Sequence, residues 1–502
     1  MVIGNIGKGA IISYIAIFLN IAISFLYTPW MLRQIGVSDY GLYSLILSFM
    51  SYFTIDFGLS SAIARFIAKY RAEGNDKKVE NIIGLSLKIF FVIDAVIFLC
   101  LFVCYFFITD IFKGLTLEEI SKLKVLYIIS GTFSILSFGL KPLDGVLVAY
   151  EYFVPAKVMD MVYKVGSVLF VVVALLLGGD IYILVLINGG LSFITQLLKF
   201  LYWHRKTNLF PNIEYYENNE RKELFSYSFW SFMMGMAMRF RISFIPTILG
   251  IFSNSGQIAV FSLGITIEAM MWTISSALNG LFLPKVSKLY HHNNKEEIMN
   301  LMINVGRIQL FLFMAIYSVF FIFGSNFILL WVGDYYREAY YVVLFLTFAH
   351  IIGNTTHVAI DLVYASNNIK IIACVTFICS LFSIIISCYV AGQFGAIGCA
   401  ICSGIAILFT QLIYLLIFAV RLNLDIRSFL YNCHLKIFPI ILIITLLCHF
   451  VIKNIDTCNY IILFGLISLY LSLYIFVCYY ILFNDYEKTL LRSILKFNYK
   501  YS

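Results

Sequence analysis

The chain of 502 residues is 62% hydrophobic and only 12% charged, with a mean hydropathy of +0.93, whereas a soluble domain carries roughly 25% charge. This composition excludes a water-soluble enzyme or nucleic-acid-binding domain and marks an all-α polytopic membrane protein. A spanning helix needs roughly 20 apolar residues, and runs of that length recur from end to end.

The first apolar run, Ala10 to Leu32, is too long for a signal peptide and lacks a small-residue cleavage site, so it reads as an uncleaved span. Further candidates begin near Tyr40, Ile82, Leu123, Tyr152, Ile181, Leu224, Gln257, Val305, Tyr340, Ile369, Ala396, Leu435 and Tyr460, giving about fourteen transmembrane helices. Spans two and three carry the lone acids Asp56 and Asp94. In span four the spacing of Lys141 and Asp144 around Pro142 predicts a local i, i+3 ion pair beside a proline kink.

The longest polar connection, His204 to Glu223, follows span six and divides the spans six plus eight. Six is even, so span seven starts from the same side as span one and any internal repeat is parallel. Pro29 and Pro246 late in spans one and seven echo such a repeat, as do Ser60-Ser61-Ala62 and Ser275-Ser276-Ala277 in the spans that follow. With the N-terminus inside, 26 of the 35 Lys and Arg residues are cytoplasmic and six lie outside. The remaining three, Lys141, Arg239 and Arg241, are intramembrane. The positive-inside rule then places both termini in the cytoplasm, and topology accounts for the net charge of +8 without nucleic acid.

Span seven contains "MRFRISF", Met238 to Phe244. An arginine at mid-membrane costs about 2.5 to 3.5 kcal/mol on insertion scales, so each needs a purpose. At 100° per residue Ser228, Ser231, Gly235, Arg239, Ser243 and Thr247 share an arc of about 160°. Arg241 is rotated by about 200° and shares its face with Ala237, Met238, Phe244 and Ile248. This assigns Arg239 to a hydrated, polar cavity and Arg241 to a packed contact. Glu268 of span eight is the expected ion-pair partner of Arg241, because the two lie at depths of roughly 14 and 17 Å.

Span ten carries Thr347, His350, Asn354, His357 and Asp361 at i, i+3, i+7, i+10 and i+14, a stripe of the kind that relays protons or bonds helices together. The eleven cysteines lie almost entirely in apolar runs. Cys399 and Cys402 have the spacing of a redox or metal pair, but the Gly/Ala-rich segment and the lack of a second pair make them packing residues, with no metal expected. The sequence shows no Gly-rich phosphate loop, H-E-x-x-H or Asp-x-Asp motif, and no ATP-binding domain. The chain therefore reads as a non-enzyme without cofactor, and any pumping draws on a proton or sodium gradient through His350, His357, Asp361 and Asp56.

"LRQIGVSDYGLYSLILSFMSYFTIDFGLSSAIARFIA", Leu32 to Ala68, resembles the opening of the bacterial polysaccharide transporter family, the O-antigen and oligosaccharide flippases. "KPLDGVLVAYEYF" from Lys141, "WVGDYYREA" from Trp331, "LVYASNNIK" from Leu362 and "FGAIGCAICSGIA" from Phe394 extend the likeness over nearly the whole chain. The resemblance implies two six-helix lobes leaning together in a V, with two helices appended, and a cationic cavity between the lobes. It suggests boundaries at 1–203 for the first lobe, 204–223 for a cytoplasmic linker, 224–422 for the second lobe and 423–502 for the last helices and tail. It implies an oligosaccharide on an undecaprenyl pyrophosphate carrier as substrate, a bacterial inner-membrane location, and other polysaccharide assembly proteins as partners. The substrate-binding candidates are then Arg239, Ser231, Ser243, Arg33 and Lys141.

Two other readings compete. A multidrug exporter of the same superfamily would present carboxylates to a cationic cargo, and Asp56, Asp94, Glu268 and Asp361 are available for that. A glycan polymerase or ligase would carry a sizeable outer catalytic loop, whereas the longest here is Asp110 to Lys122.

Overall fold

The computed structural model describes residues 21–55, 58–207, 209–215, 229, 232–276, 282–366, 368–453, 455 and 459–489. Every regular element among them is helical: α1 (residues 21–35), α2 (Val37–Phe53), α3 (Leu59–Ala72), α4 (Asp76–Ile111), α5 (Leu117–Phe138), α6 (Pro142–Ala149), α7 (Phe153–Leu176), α8 (Ile181–Thr207), α9 (residues 232–242), α10 (Phe244–Phe252), α11 (Ser255–Ser275), α12 (Leu283–His291), α13 (Lys295–Val332), α14 (Ala339–Thr355), α15 (His357–Ala365), α16 (Ile369–Arg421), α17 (Ile426–Phe429), α18 (Phe438–Ile452) and α19 (Tyr460–Val477). Among the described residues ten helices are long and apolar enough to cross a membrane, or up to eleven if the bent pair α14 and α15 is one span.

Their surfaces are those of helices in lipid. On α4, Phe91, Val92, Phe98, Phe102 and Phe106 are each more than half exposed; in water so large an apolar face would aggregate.

α16 runs for 53 residues, which at 1.5 Å per residue is roughly 80 Å, more than twice the ~30 Å hydrocarbon core. Gly395, at φ 53° and ψ −138°, breaks it near the middle. A side chain there would be strained by the positive φ and would meet the Gln257 side chain. The hydropathy pattern starts span twelve at Ala396, beside this break.

The chain forms two compact units, Met1–Ser262 with Thr376–Gly395, and Leu263–Val375 with Ala396–Ser502. In the first, the N-terminal ends of α2, α5 and α11 converge on Glu119. This residue completes a capping box with Thr116 and accepts from Ser38 Oγ (2.6 Å) and Ser255 Oγ (2.5 Å). Lys122 Nζ pairs with Asp39 Oδ1 at 3.0 Å beside it. At the opposite helix ends, Arg71 Nη1 donates to Ala149 O (2.5 Å), and the backbone of Asn212 donates to Glu80 O (3.0 Å). Successive connections thus alternate between two ends, as a chain crossing a membrane repeatedly must.

The second unit is organised the same way. Tyr460 Oη donates to Leu330 O (2.7 Å) where α13 ends and α19 begins. At the other end Arg307, 6% exposed, pairs through Nε with Glu487 Oε1 at 2.6 Å. Arg307 also donates to Asn432 O (2.8 Å) and Leu482 O (2.7 Å). Those two carbonyls belong to the π-helical turns Leu430–Leu435 and Cys478–Leu482, where widened turns free carbonyls from the i→i−4 ladder.

Candidate functional site

The polar face of span seven is carried by α9 and α10. Ser228, Ser231 and Asp56 lie outside the described residues. Ser243 N donates to Arg239 O at 2.9 Å, so helical bonding continues through the turn between α9 and α10. Residues 235, 239, 243 and 247 therefore stay on one face. Tyr52 Oη of α2 donates to Ser243 O (2.7 Å) and meets Thr247 Oγ1 (2.6 Å), while a Cβ at Gly235 would lie 3.9 Å from Ile55. The face is thus turned toward the C-terminal end of α2, and half-buried Arg239 lies between these contacts.

Lys141 reaches the same end of α2, where its ammonium donates to the carbonyl of Thr54, the C-cap residue. The C-terminal end of a helix carries the negative end of its dipole and attracts cations. Lys141 thus binds the helix terminus toward which the face carrying Arg239 is turned. Arg241 is half-buried on the same helix as Arg239, and Arg33 is exposed near the end of α1.

The local Lys141–Asp144 pair expected from spacing gives way to a longer-range arrangement. Asp144 Oδ1 accepts from Lys199 Nζ at 2.9 Å, and Asp160 Oδ1 lies 3.0 Å from the same nitrogen. Lys199 belongs to α8, and its side chain is 7% exposed. Two carboxylates compensate one buried ammonium, and they join α6, α7 and α8.

In the second unit the helix carrying the span-ten stripe is broken. α14 and α15 meet at 55° around Thr356. Thr355 and Thr356 hydroxyls donate back to Ile352 O at 2.9 and 3.1 Å, a bonding that bends helices. Thr347, His350 and Asn354 ride on α14, and His357 and Asp361 on α15, so the stripe is not one straight face. His350 Nε2 lies 3.3 Å from Glu268 Oε1, a contact that spacing did not reveal. Trp272 packs on His350 at 4.8 Å between ring centres and reaches His357 at 6.3 Å. Cys399 is buried and Cys402 half-buried, and they are not joined in a disulfide.

Residues 6–288 match the family described as "Polysaccharide biosynthesis protein". The chain belongs to this family. A search of curated proteins returned no match. Among solved structures, this family member is similar to "Lipid II flippase MurJ, inward closed conformation" at 16% identity and a TM-score of 0.70, covering 94% of this chain and 98% of the other. It is also similar to an inward-facing multidrug resistance MATE family transporter of the MOP superfamily, with 15% identity, a TM-score of 0.62, and 81% and 99% covered. A third likeness is to a MOP superfamily transporter from Pyrococcus furiosus, with 12% identity, a TM-score of 0.60, and 83% and 96% covered. The fold of this polysaccharide biosynthesis protein is therefore that of the MOP exporters, and it is a multi-pass membrane protein.

Proposed function

We propose that this protein flips undecaprenyl-pyrophosphate-linked oligosaccharide units across the bacterial cytoplasmic membrane by alternating access, for O-antigen or a related surface polysaccharide. The observation that carries the reading is Arg239: a membrane-embedded guanidinium on a face of small and hydroxylated residues, with Lys141 at the same helix end, in a chain of the polysaccharide biosynthesis family. A sugar unit dragged bare through hydrocarbon loses hydrogen bonds worth a few kcal/mol per polar group, so it needs a hydrated path. The pyrophosphate needs a cation. Arg239 supplies it, with Ser231, Ser243, Arg33 and Lys141 around the headgroup, and Arg241 braces the fold against Glu268.

In this reading both termini are cytoplasmic, the lobes run 1–203 and 224–422 with 204–223 linking them, and 423–502 is appended. Glu268–His350, with His357, Asp361 and Asp56, couples transport to a proton or sodium gradient. The protein does no chemistry on its cargo and works beside other polysaccharide assembly proteins. Purified protein in liposomes loaded with undecaprenyl-pyrophosphate oligosaccharide tests this. Flipping exposes glycan to a membrane-impermeant glycosidase, and glycan that stays protected beyond its initial outer-leaflet fraction would reject the proposal.

The second reading, cation-coupled multidrug export, draws on the carboxylates Asp94, Glu268 and Asp361, of which Glu268 is held beside an imidazole. Drug-dependent proton or sodium exchange in the same liposomes, without glycan flipping, would favour it. A glycan polymerase remains the most distant reading, and chain elongation by the purified protein would reveal it.

A further inference from the structure

The second unit holds a pocket of about 250 Å³ where the α12–α13 and α15–α16 connections meet the end of α16. Two cations line it, Lys295 at the start of α13 and Arg421 at the end of α16, and both are exposed and so within reach of a ligand. Among the described residues neither side chain has a hydrogen-bond or ion-pair partner, and the described lining contains no carboxylate. The acids nearby in the chain are turned to other partners. Glu297 accepts from Asn294 Nδ2 (3.0 Å) and lies 3.9 Å from Lys285, and Asp425 caps α17 by accepting from Ser428 N. Glu296 is exposed and outside the lining.

Helix dipoles explain Arg421, in the C-terminal turn of α16, but not Lys295, which stands at the positive end of its own helix. Two like charges on so small a pocket repel one another, and an anion between them reverses that repulsion. Asn293 and Asn423 also line the pocket, each with φ 53° one residue past a helix C-cap. Glycine is usual at such a position. Asparagine tolerates the conformation and adds an amide that can donate to an anion. A guanidinium fork, an ammonium and two amides thus surround one space with donors from different sides. A carboxylate offers two oxygens in one plane, whereas a phosphate offers oxygens in several directions and also fits the arginine fork. The volume is below the about 300 to 1,000 Å³ of drug-sized ligand sites, which suits a head group and not an oligosaccharide.

We propose that this pocket binds a phosphate group, carried by the head group of a membrane lipid or by a soluble phosphate. The site lies in the other unit from Arg239 and stands whether or not the protein carries glycan.

The test is the reactivity of Lys295 toward an amine-acylating N-hydroxysuccinimide ester, read by peptide mass spectrometry. Lys288, exposed on α12 and outside the lining, is the internal reference. The protein is delipidated in dodecyl maltoside, a detergent without phosphate, and then given inorganic phosphate, phosphatidylglycerol or, at matched ionic strength, chloride. At a ligand concentration about ten times Kd, Lys295 should acylate about tenfold more slowly while Lys288 is unchanged. Slowing by inorganic phosphate identifies a soluble phosphate as sufficient, and slowing by phosphatidylglycerol alone identifies the lipid head group. Arg421→Gln leaves Lys295 in place but should remove most of the protection, and Arg421→Lys should keep part of it. Equal slowing at Lys288, equal slowing by chloride, no slowing by either phosphate source, or full protection in Arg421→Gln would overturn the site.

Discussion

His350 Nε2 lies 3.3 Å from Glu268 Oε1, joining α14 to α11 with side-chain exposures of 10% and 9%. An imidazole is the side chain whose charge changes near physiological pH, and Trp272 links this one to His357 on the helix that also carries Asp361. Glu268→Gln should keep a hydrogen bond to His350 but remove the charge. We expect glycan transport in vesicles, normalised to protein amount, to lose its pH dependence between about pH 5.5 and 8. Asp361→Asn should weaken gradient-driven accumulation likewise. Profiles that superimpose on the parent's would make these groups packing contacts.

Arg241 is proposed to be structural. Arg241→Ala should lower the amount of folded protein by stranding a carboxylate, and adding Glu268→Gln should recover part of that loss. Quantitative blots of membrane fractions check both. A fully abundant but inactive Arg241→Ala protein would transfer the substrate role to Arg241.

Arg307 and Glu487 are both almost completely buried, and removing one partner of such a pair costs about 3 to 5 kcal/mol because the other charge is left behind. Glu487→Ala should therefore lower the thermal midpoint in detergent sharply. Arg307→Met combined with Glu487→Leu should recover much of the loss. A midpoint unchanged by Glu487→Ala would show that the last helices do not depend on this pair.

What was legible in the sequence was what local pattern encodes. Apolar run length gave the helical membrane fold, and the run beginning at Ala396 starts where Gly395 breaks α16. Alternation of the connections follows from counting spans. Less legible were contacts between distant residues: Lys199 and Arg307 are each buried against a carboxylate far along the chain, 55 residues away at Asp144 and 180 away at Glu487. Period alone carries no such information. The bend at Thr356 was hidden because two threonines in an apolar run do not interrupt hydropathy, although their hydroxyls bend the helix by bonding to carbonyls one turn back.

Topology follows from the charge bias and is open to direct measurement. Green fluorescent protein fused at Asn218 or Tyr501 should fluoresce, and alkaline phosphatase fused at Asn254 should be active. Strong phosphatase activity at Tyr501 would remove the even number of spans.

The central claim is that Arg239 holds the pyrophosphate, and the export of surface glycan by Arg239 variants at matched protein level tests it most directly. A charge pair at contact distance in a site of intermediate dielectric is worth about 4 kcal/mol, so Arg239→Ala should cut export on the order of a hundredfold or more. Arg239→Lys keeps the charge but loses the bidentate fork and should retain partial export. Normal glycan export by Arg239→Ala cells would contradict the account.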